Sequence, residues 1–320
     1  MKRALITGIN GQDGSFLAEF LLSMNYEVHG VIRRPSIENS TKLKNIGHII
    51  DKIKIHSCDI ENQLAIYKLI EYVCPDEVYH LAAQSFVDYS FGDSFSLMST
   101  NFNPTLFLLA SINQLNPDCK FYFAGSSEMI GEPEEYPQNE NSKFNPRSLY
   151  GISKLASYYV VKNYREKYNL YACTGIAYNH ESPRRGYQFV TRKITSGLAN
   201  IYHGKQQIIE LGNIDAIRDW GYAPDYVRAM WLMLNNPNGP NDYIIATGIP
   251  HTVRDFLKIA FGSLRLDYQE YIEISKKFYR PSEEIPLIGD SSKLKRELKW
   301  QTTKTFDEIV QEMVQNDVKK

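Results

Sequence analysis

The sequence predicts an α/β protein in which a doubly wound parallel sheet carries a smaller, mostly helical lobe at its carboxyl edge. Two observations predict this class. Short apolar runs alternate with helical patterns through the first half of the chain, as in successive strand–helix–strand units. From His180 onward, loops and helices dominate, and strand patterns occur only at Gln207–Leu211 and Tyr243–Ala246. We therefore expect residues 1–178 to form the sheet domain and residues 179–320 mainly the lobe, interleaved with that domain.

The elements of the first half are predicted from the spacing of apolar residues. Arg3–Gly8 is predicted to be a strand because it is short, apolar and ends at a glycine. Asp13–Met24 is predicted to be a helix because its apolar residues share one face. The polar stretch Gly131–Arg147 is predicted to be a long loop, of the kind that often carries function. The other strands and helices are predicted, in chain order, at Glu27–Arg33, Lys52–Ser57, Gln63–Val73, Glu77–Leu81, Leu97–Asn113, Lys120–Ala124 and Tyr150–Tyr168.

Composition excludes several classes of protein. Of the 320 residues, 43% are hydrophobic and 23% are charged, which is typical of a globular chain and excludes a disordered one. The 36 Lys and Arg nearly balance the 37 Asp and Glu, so the chain lacks the basic character of nucleic-acid-binding domains. No apolar run approaches the roughly 18 residues of a membrane span. The four cysteines form no C-x-x-C pair, so we expect reduced thiols, no metal site and a cytoplasmic protein without membrane partners.

Three glycines between the first strand and the first helix form the first motif. Gly8, Gly11 and Gly14 have the spacing G-x-x-G-x-x-G. Glycines at such a turn let a phosphate approach backbone N–H groups at the positive end of a helix. The motif predicts a Rossmann-type fold with a dinucleotide at this turn, contacted also by Gln12 and Asp13. The alternative is an ordinary strand–helix turn.

The end of the second strand indicates which dinucleotide is bound. NAD sites carry a carboxylate about 20 residues after the glycines, to bind the ribose hydroxyls. Arg33 and Arg34 occupy this region instead, and guanidinium groups suit a 2′-phosphate, so the sequence predicts NADP. The alternative is that one arginine is solvated or faces a neighbouring subunit. Further cofactor contacts are expected at the ends of the third and fourth strands, from Asp59, Ile60, Leu81, Ala82 and Ala83.

A second motif places a tyrosine and a lysine on one helical face. Tyr150 and Lys154 are four residues apart, and a nearby ammonium stabilises a phenolate that acts as a base. Ser126 and Glu128 follow the fifth strand, and the carboxylate can remove a proton next to a transient ketone. The set predicts hydride transfer on an alcohol coupled to loss of water. The alternatives are a surface Tyr–Lys pair and a Glu128 that caps a loop.

These motifs and longer strings resemble the GDP-mannose 4,6-dehydratase family of the extended short-chain dehydrogenases/reductases. The resemblance covers almost the whole chain, and its strings are more specific than the glycine turn. The most telling strings are Asn179–Gly186, Phe189–Thr195, Arg218–Gly221, Asp225–Val227, Ala229–Leu234, Ala246–Gly248 and Tyr279–Glu283.

The resemblance implies conversion of GDP-D-mannose to GDP-4-keto-6-deoxy-D-mannose by internal hydride transfer through NADP and loss of water. Tyr150 would take the C4 hydroxyl proton, and Lys154 would orient the ribose. Glu128 would remove the C5 proton, with Glu128 or Ser126 assisting the departure of water from C6. Substrate contacts are implied at Ser85, Ser127, Asn179, Val190, Lys193, Gly212, Arg218, Arg254, Arg280 and Glu283.

Some positions depart from the family pattern. Gly125-Ser126 replaces the usual Ser-Thr, so a side chain is lost beside the cofactor, and Tyr187 stands where an acidic residue is common. Met98–Asn101 and Ala177–Tyr178 also differ. We interpret these changes as neutral, with a pocket for a larger sugar such as GDP-manno-heptose as the alternative. A GDP-4-keto-6-deoxy-sugar reductase or epimerase, and a non-catalytic NADP-binding regulator, are further alternatives.

The resemblance also implies a homodimer or homotetramer. The helices predicted at Leu97–Asn113 and Ser148–Tyr168 correspond to the subunit contact usual in the family. The loop from Arg33 to Ser40 is expected to reach a neighbouring subunit.

Overall fold

The computed structural model describes residues 1–33, 43–85, 94–278 and 285–319. Its strands are β1 (Arg3–Thr7), β2 (Glu27–Ile32), β3 (Lys54–Ser57), β4 (Glu77–His80), β5 (Lys120–Ser126), β6 (Ala172–Ala177), β7 (Asn179–Glu181), β8 (Ile209–Leu211), β9 (Ile217–Tyr222), β10 (Tyr243–Ile245), β11 (Pro250–Thr252) and β12 (Ile272–Ile274). Its α-helices are α1 (Gln12–Ser23), α2 (Gln63–Val73), α3 (Ser94–Leu115), α4 (Leu149–Tyr168), α5 (Val190–Tyr202), α6 (Ala223–Leu234), α7 (Val253–Gly262), α8 (Ser292–Leu298) and α9 (Phe306–Val318).

Seven parallel strands form the central sheet, in the order β10-β6-β5-β4-β1-β2-β3. The strand order reverses between β1 and β4, so the loops that follow these two strands diverge to opposite faces of the sheet. Such a point at the carboxyl edge is where open α/β sheets bind ligands. The predicted fold class is confirmed.

The central strands are apolar throughout because helices cover both faces of the sheet. In β1, Ala4 and Ile6 belong to the core on one face, together with Leu17 of α1 and Met230 of α6. Leu5 belongs to the core on the other face, which includes apolar residues of α2, α3 and α4. This alternation explains why the strands of the first half are recognisable as continuous apolar runs.

The second half of the chain builds the lobe and also adds a strand to the central sheet. β10 pairs with β6, while β11-β9-β7 form a three-stranded sheet and β12-β8 a two-stranded one. A third core lies within the lobe, where Trp220 of β9 packs against Phe256 of α7 and Phe306 of α9. The boundary predicted between residues 178 and 179 stays a prediction.

The predicted elements of the first half are present, with ends that differ by a few residues. The prediction of few strands after His180 was wrong, and β6 of the central sheet was also missed. β7, β11 and β12 have three residues each, too few to show a periodicity, and β9 contains two charged residues and a glycine. These strands form because neighbouring segments supply hydrogen-bond partners.

The predicted subunit contact maps to the outer surface of α3 and α4. Leu149, Ile152 and Tyr159 are exposed on α4, and Phe95 is exposed on α3. The contact stays a prediction, and residues 34–42 of the other proposed contact lie outside the described residues. Within the described part of the chain, no helix is long and apolar enough to cross a bilayer, and no group of His, Cys, Asp or Glu could hold a metal ion.

A buried ion pair joins α5 to the C-terminal helix α9. Arg192 and Asp317 have side chains that are 2% and 3% exposed, and Nη2 of Arg192 lies 2.7 Å from Oδ1 of Asp317. Thr195 donates a hydrogen bond to the other carboxylate oxygen at 2.8 Å. Because both charges have left water, the loss of one partner leaves the other charge uncompensated.

We expect Asp317→Ala to lower the free energy of unfolding by about 3 kcal/mol, because Arg192 stays buried without this anion. Glu312→Ala is the matched control on the same helix, since Glu312 pairs with Lys304 at the surface and its loss is expected to cost less than about 1 kcal/mol. Urea unfolding measures both values. Equal losses in the two variants would contradict the prediction.

Candidate active site

The turn between β1 and α1 is built by close backbone contacts. Gly8 accepts a hydrogen bond from the N–H of Gly11 at 3.0 Å, and a Cβ on Gly14 would overlap the carbonyl oxygen of Gly8. Among the described side chains, none caps the N-terminus of α1. The first N–H groups of the helix therefore remain available to an anion at the positive end of the helix dipole.

The side chains of Gln12 and Asp13 bind the lobe. Gln12 donates to the carbonyl oxygen of His180 at 3.1 Å and accepts from Ser182 at 2.8 Å. Oδ2 of Asp13 lies 2.8 Å from Nε2 of His180. These contacts leave the backbone N–H groups of the two residues, rather than their side chains, for the predicted pyrophosphate.

His180 and Asp13 form an ion pair. Nδ1 of His180 lies 2.7 Å from the carbonyl oxygen of Tyr178, which can only accept, and Nε2 faces the carboxylate. Both ring nitrogens therefore carry a proton when the carboxylate is ionised. Burial opposes this charge, but Asp13 outweighs it and raises the pKa of His180.

The chain after β4 is held next to the glycine turn. The Thr7 hydroxyl accepts hydrogen bonds from the N–H groups of Leu81 and Ala82 at 3.1 Å and donates to Nδ1 of His80 at 2.8 Å. Burial and the charge of Lys154 lower the pKa of His80 to about 3, so this imidazole is neutral. The structure thus places Leu81 and Ala82 beside the turn, and the cofactor contact of Leu81, Ala82 and Ala83 stays a prediction.

A buried asparagine connects this loop to α4. Asn101 of α3 exchanges two hydrogen bonds with the backbone of Gln84, at 2.8 and 3.2 Å, and donates to the hydroxyl of Ser153 at 3.2 Å. Ser85 follows Gln84, so Asn101 helps to place this expected substrate contact. From the sequence, Asn101 is recognisable only as part of a stretch that departs from the family pattern.

The structure brings the four predicted catalytic residues together. Ser126 ends β5, and its hydroxyl accepts from the N–H of Glu128 at 3.2 Å. A hydrogen bond also joins the side chains of Ser126 and Tyr150. Lys154 lies one turn after Tyr150 on α4, and its Nζ donates to the carbonyl oxygen of Ala124 at 2.9 Å.

Gly151 explains how Glu128 reaches this group. A Cβ on Gly151 would overlap the carbonyl oxygen of Glu128, so the first turn of α4 packs directly on the short 3₁₀ helix Ser127–Met129. Ser127 is buried in this contact. The absence of a side chain at position 151 therefore fixes the separation between Tyr150 and the Glu128 backbone.

Burial sets the protonation of the catalytic pair. It raises the pKa of Tyr150 to about 12. The negative charge of Glu128 adds to this shift, while the Ser126 hydrogen bond and the positive charge of Arg185 oppose it. Burial lowers the pKa of Lys154 to about 8. Lys154 is 3% exposed, and its Nζ lies 5.9 Å from the centre of the Tyr150 ring. A positive charge bound beside these groups would favour the phenolate of Tyr150.

Arg33 follows β2 and lies beside Glu61, an acidic residue that no motif in the sequence indicates. The side chain of Arg33 is 57% exposed and lies 3.5 Å from Glu61, which also accepts from Thr100 at 2.7 Å. Asp59 accepts from the N–H of Glu61 at 3.1 Å, and Ile60 is buried. Arg34 lies outside the described residues.

Several of the expected substrate residues lie in the lobe. Asn179 begins β7, Val190 and Lys193 lie in the first turns of α5, Gly212 follows β8, and Arg218 lies on β9. Nζ of Lys193 lies 3.7 Å from the centre of the Phe278 ring. Arg280 and Glu283 lie outside the described residues.

Arg254 is held within the lobe. Its guanidinium binds both carboxylate oxygens of Asp215, at 2.8 and 3.0 Å, and donates to the hydroxyl of Tyr268 at 3.1 Å. These contacts engage Nε and both terminal nitrogens. A diphosphate would have to compete with Asp215 for this group.

The packing of the protein explains two departures from the family pattern. A Cβ on Gly125 would lie 2.7 Å from Cγ2 of Thr174 and 3.1 Å from Cε of Met129, so neighbouring side chains already occupy this space. Tyr178 is buried and donates to Gln138 at 3.0 Å. Neither change gives a reason to expect a larger sugar pocket.

The chain matches a known protein family over nearly its whole length. Residues 5–313 match the family described as GDP-mannose 4,6 dehydratase. The chain is 47% identical over 326 residues to GDP-mannose 4,6 dehydratase 1 of Arabidopsis thaliana, covering 99% of this chain and 90% of that protein. It is 44% identical over 339 residues to GDP-mannose 4,6 dehydratase of Homo sapiens, covering 98% and 91%.

Solved structures with low sequence identity share the fold. A dTDP-glucose 4,6-dehydratase from Streptomyces venezuelae with NAD bound has a TM-score of 0.84 at 23% identity, covering 98% of this chain and 96% of that one. RMD from Pseudomonas aeruginosa complexed with NADPH has a TM-score of 0.84 at 20% identity, covering 100% and 99%. The family match across residues 5–313 and the relatives of similar length show that the chain belongs to the GDP-mannose 4,6 dehydratase family.

Proposed function

We propose that the protein converts GDP-D-mannose to GDP-4-keto-6-deoxy-D-mannose with loss of water. The observation that carries the proposal is the position of Glu128 beside Ser126, Tyr150 and Lys154 at the carboxyl edge of the sheet. A reductase or epimerase needs the hydroxyl, the phenol and the ammonium, but not the carboxylate. The names of the full-length relatives support the same reaction and the same sugar nucleotide.

The residues at the glycine turn fit a nicotinamide dinucleotide. The uncapped N-terminus of α1 suits a pyrophosphate, and glycines at the turn let such a group approach the backbone N–H groups. Gly8, Gly11 and Gly14 with the chain at Leu81–Ala83 would hold the cofactor, and Arg33 would bind the 2′-phosphate of NADP. When bound, NADP⁺ supplies a positive charge and a hydride acceptor that later returns the hydride to the sugar.

Tyr150 and Lys154 would act at C4 of the sugar. The Tyr150 oxygen would take the proton of the C4 hydroxyl as the carbon is oxidised to a ketone. Lys154 would favour the phenolate and bind the ribose, with the Ala124 carbonyl holding its ammonium in place. Ser126 would donate a hydrogen bond to the C4 oxygen of the sugar.

Glu128 would carry out the elimination. The C4 ketone acidifies the hydrogen on C5, so the carboxylate can take that proton. The same group would then return a proton to the C6 hydroxyl, which leaves as water while a C5–C6 double bond forms. Reduction at C6, with transfer to C5 of the proton that Tyr150 took from the C4 hydroxyl, would complete the 4-keto-6-deoxy sugar, so the overall change is the loss of one water molecule.

We expect Glu128→Gln to reduce turnover of GDP-mannose by roughly 10²–10⁴-fold, the usual contribution of one acid–base group. The amide keeps the shape of the side chain but cannot take the C5 proton. Mass spectrometry of the product, with added NADP⁺, measures turnover. Glu132→Gln, an exposed carboxylate four residues later, is the control and should keep the wild-type rate. Full activity of Glu128→Gln would favour the reductase or epimerase alternative.

We expect turnover to fall as the pH rises through about 8, because Lys154 has a lowered pKa and acts only as the ammonium. The measurement is the pH profile of kcat/KM. In Lys154→Arg the decline should move to higher pH even if the maximal rate is lower, since a guanidinium does not lose its proton in this range. The same decline in both proteins would assign it to another group.

We expect Arg33→Ala to weaken NADP⁺ binding about tenfold and NAD⁺ binding hardly at all, because only NADP carries the 2′-phosphate. Isothermal titration calorimetry of the purified protein measures both affinities. Lys68→Ala removes an exposed cation from α2 and is the control for a general charge effect. Equal losses for the two cofactors would argue against a phosphate contact at Arg33.

A further inference from the structure

Glu181 is a buried carboxylate that the proposed reaction does not use. It ends β7 and is 2% exposed. Burial raises its pKa, while the charge of Arg185 and a hydrogen bond from Thr191 oppose that shift. A buried carboxylate lowers the stability of the fold unless a cation and hydrogen-bond donors pair with it.

Two partners hold the same oxygen atom of Glu181. The Thr191 hydroxyl donates to Oε2 at 2.5 Å, and Nε of Arg185 lies 3.4 Å from that atom. Thr191 is buried in the first turn of α5, the helix that carries Lys193. Glu181 therefore connects Arg185 to the start of a helix that the sequence assigns to the substrate.

The guanidinium of Arg185 has an electrostatic contact and a ring contact. Its Nε is buried without a hydrogen-bond partner within the described part of the chain, so its contact with Glu181 is electrostatic. The guanidinium also packs on the ring of Phe189, 3.7 Å from its centre. Glu181 is thus the anion that faces this cation from β7.

The charge of Arg185 acts on the catalytic centre. It opposes the rise in the pKa of Tyr150 that burial causes, adds to the lowering of the pKa of Asp13, and opposes the rise in the pKa of His180. Among the described residues, the charges that act on Glu181 include those of Arg185, His180 and Asp13. A cation at this position favours the phenolate of Tyr150.

The backbone also places Arg185 next to the glycine turn. Its N–H donates to the carbonyl oxygen of Ser182 at 3.0 Å, and the Ser182 hydroxyl donates to Gln12 at 2.8 Å.

We propose that Glu181 is a positioning residue, whose carboxylate holds the Arg185 guanidinium beside the candidate site and attaches it to the first turn of α5. The effect of Glu181 on catalysis rests on the proposed function. The position of Arg185 does not, because the contacts that define it lie within the chain itself.

The neighbouring arginine supplies a matched control. Nη2 of Arg184 lies 2.6 Å from Oε1 of Glu19 on α1, and its guanidinium packs on Phe16. The two consecutive arginines therefore face different carboxylates, and Glu19 also pairs with His48. Removal of the Glu19 carboxylate should loosen Arg184, which keeps its bond to Ser15, and should leave Arg185 in place.

The first experiment measures the reactivity of Arg185 with phenylglyoxal, followed by peptide mass spectrometry, in the protein without ligands. We expect Glu181→Gln to raise the rate of Arg185 modification roughly tenfold, as for the loss of one charge-assisted contact. Glu19→Gln should raise the rate for Arg184 only. Thr191→Val keeps both charges but frees the carboxylate, so it should raise the Arg185 rate by a smaller factor. An unchanged Arg185 rate in Glu181→Gln and Thr191→Val would overturn the proposal.

The second experiment is a double-mutant cycle on kcat/KM for GDP-mannose and on NADP⁺ affinity. If Glu181 acts through Arg185, Glu181→Gln lowers both values in the wild-type chain but not in Arg185→Met. Additive losses would show a merely structural role for Glu181 and overturn the proposal. A wild-type protein that fails to turn over GDP-mannose would overturn the proposed function instead, and the phenylglyoxal rates would still decide the role of Glu181.

Discussion

The direct packing of α4 on the turn after β5 is the constraint on which the candidate site depends. Because Gly151 has no side chain, the backbone of α4 reaches the carbonyl oxygen of Glu128. Tyr150 and Lys154 lie on the same helical face, so this single contact brings a phenol, an ammonium and a carboxylate to the end of one strand. The Lys154 bond to the Ala124 carbonyl fixes the helix against β5 at a second point. A side chain at position 151 would separate the two halves of the chemistry.

A second set of contacts joins the glycine turn to the lobe. Gln12 and Asp13, in the first turn of α1, bind the segment from His180 to Ser182. Asp13 is an anion at a helix end that would otherwise attract a phosphate, and the proton on Nε2 of His180 compensates it. The same segment continues through Glu181 to Arg185 and α5. The places proposed for the cofactor and for the sugar nucleotide are therefore connected by one continuous stretch of chain.

Much of the fold follows from local sequence. The strands of the first half are apolar runs because both faces of the sheet are covered, and the helices between them have one apolar face. Strands such as β7, β11 and β12 escaped prediction because three residues show no periodicity. Their pairing depends on segments far away in the chain. Gly125 shows the same limit, since only the neighbouring Thr174 and Met129 explain why a side chain is absent there.

The sequence by itself determined the Rossmann-type fold class, the glycine turn, and the grouping of Tyr150 with Lys154 and of Ser126 with Glu128. These features depend on spacings of a few residues, which helix and strand geometry convert directly into positions in space. Only the tertiary structure decided that Asp13 pairs with His180, that Gly151 packs on Glu128 and that Glu181 holds Arg185. The partners in the first two contacts are far apart in the chain, and the Glu181–Arg185 pair lies in a non-helical segment. Electrostatic and packing contacts of this kind act through space, so they follow from which strands become neighbours rather than from any local pattern.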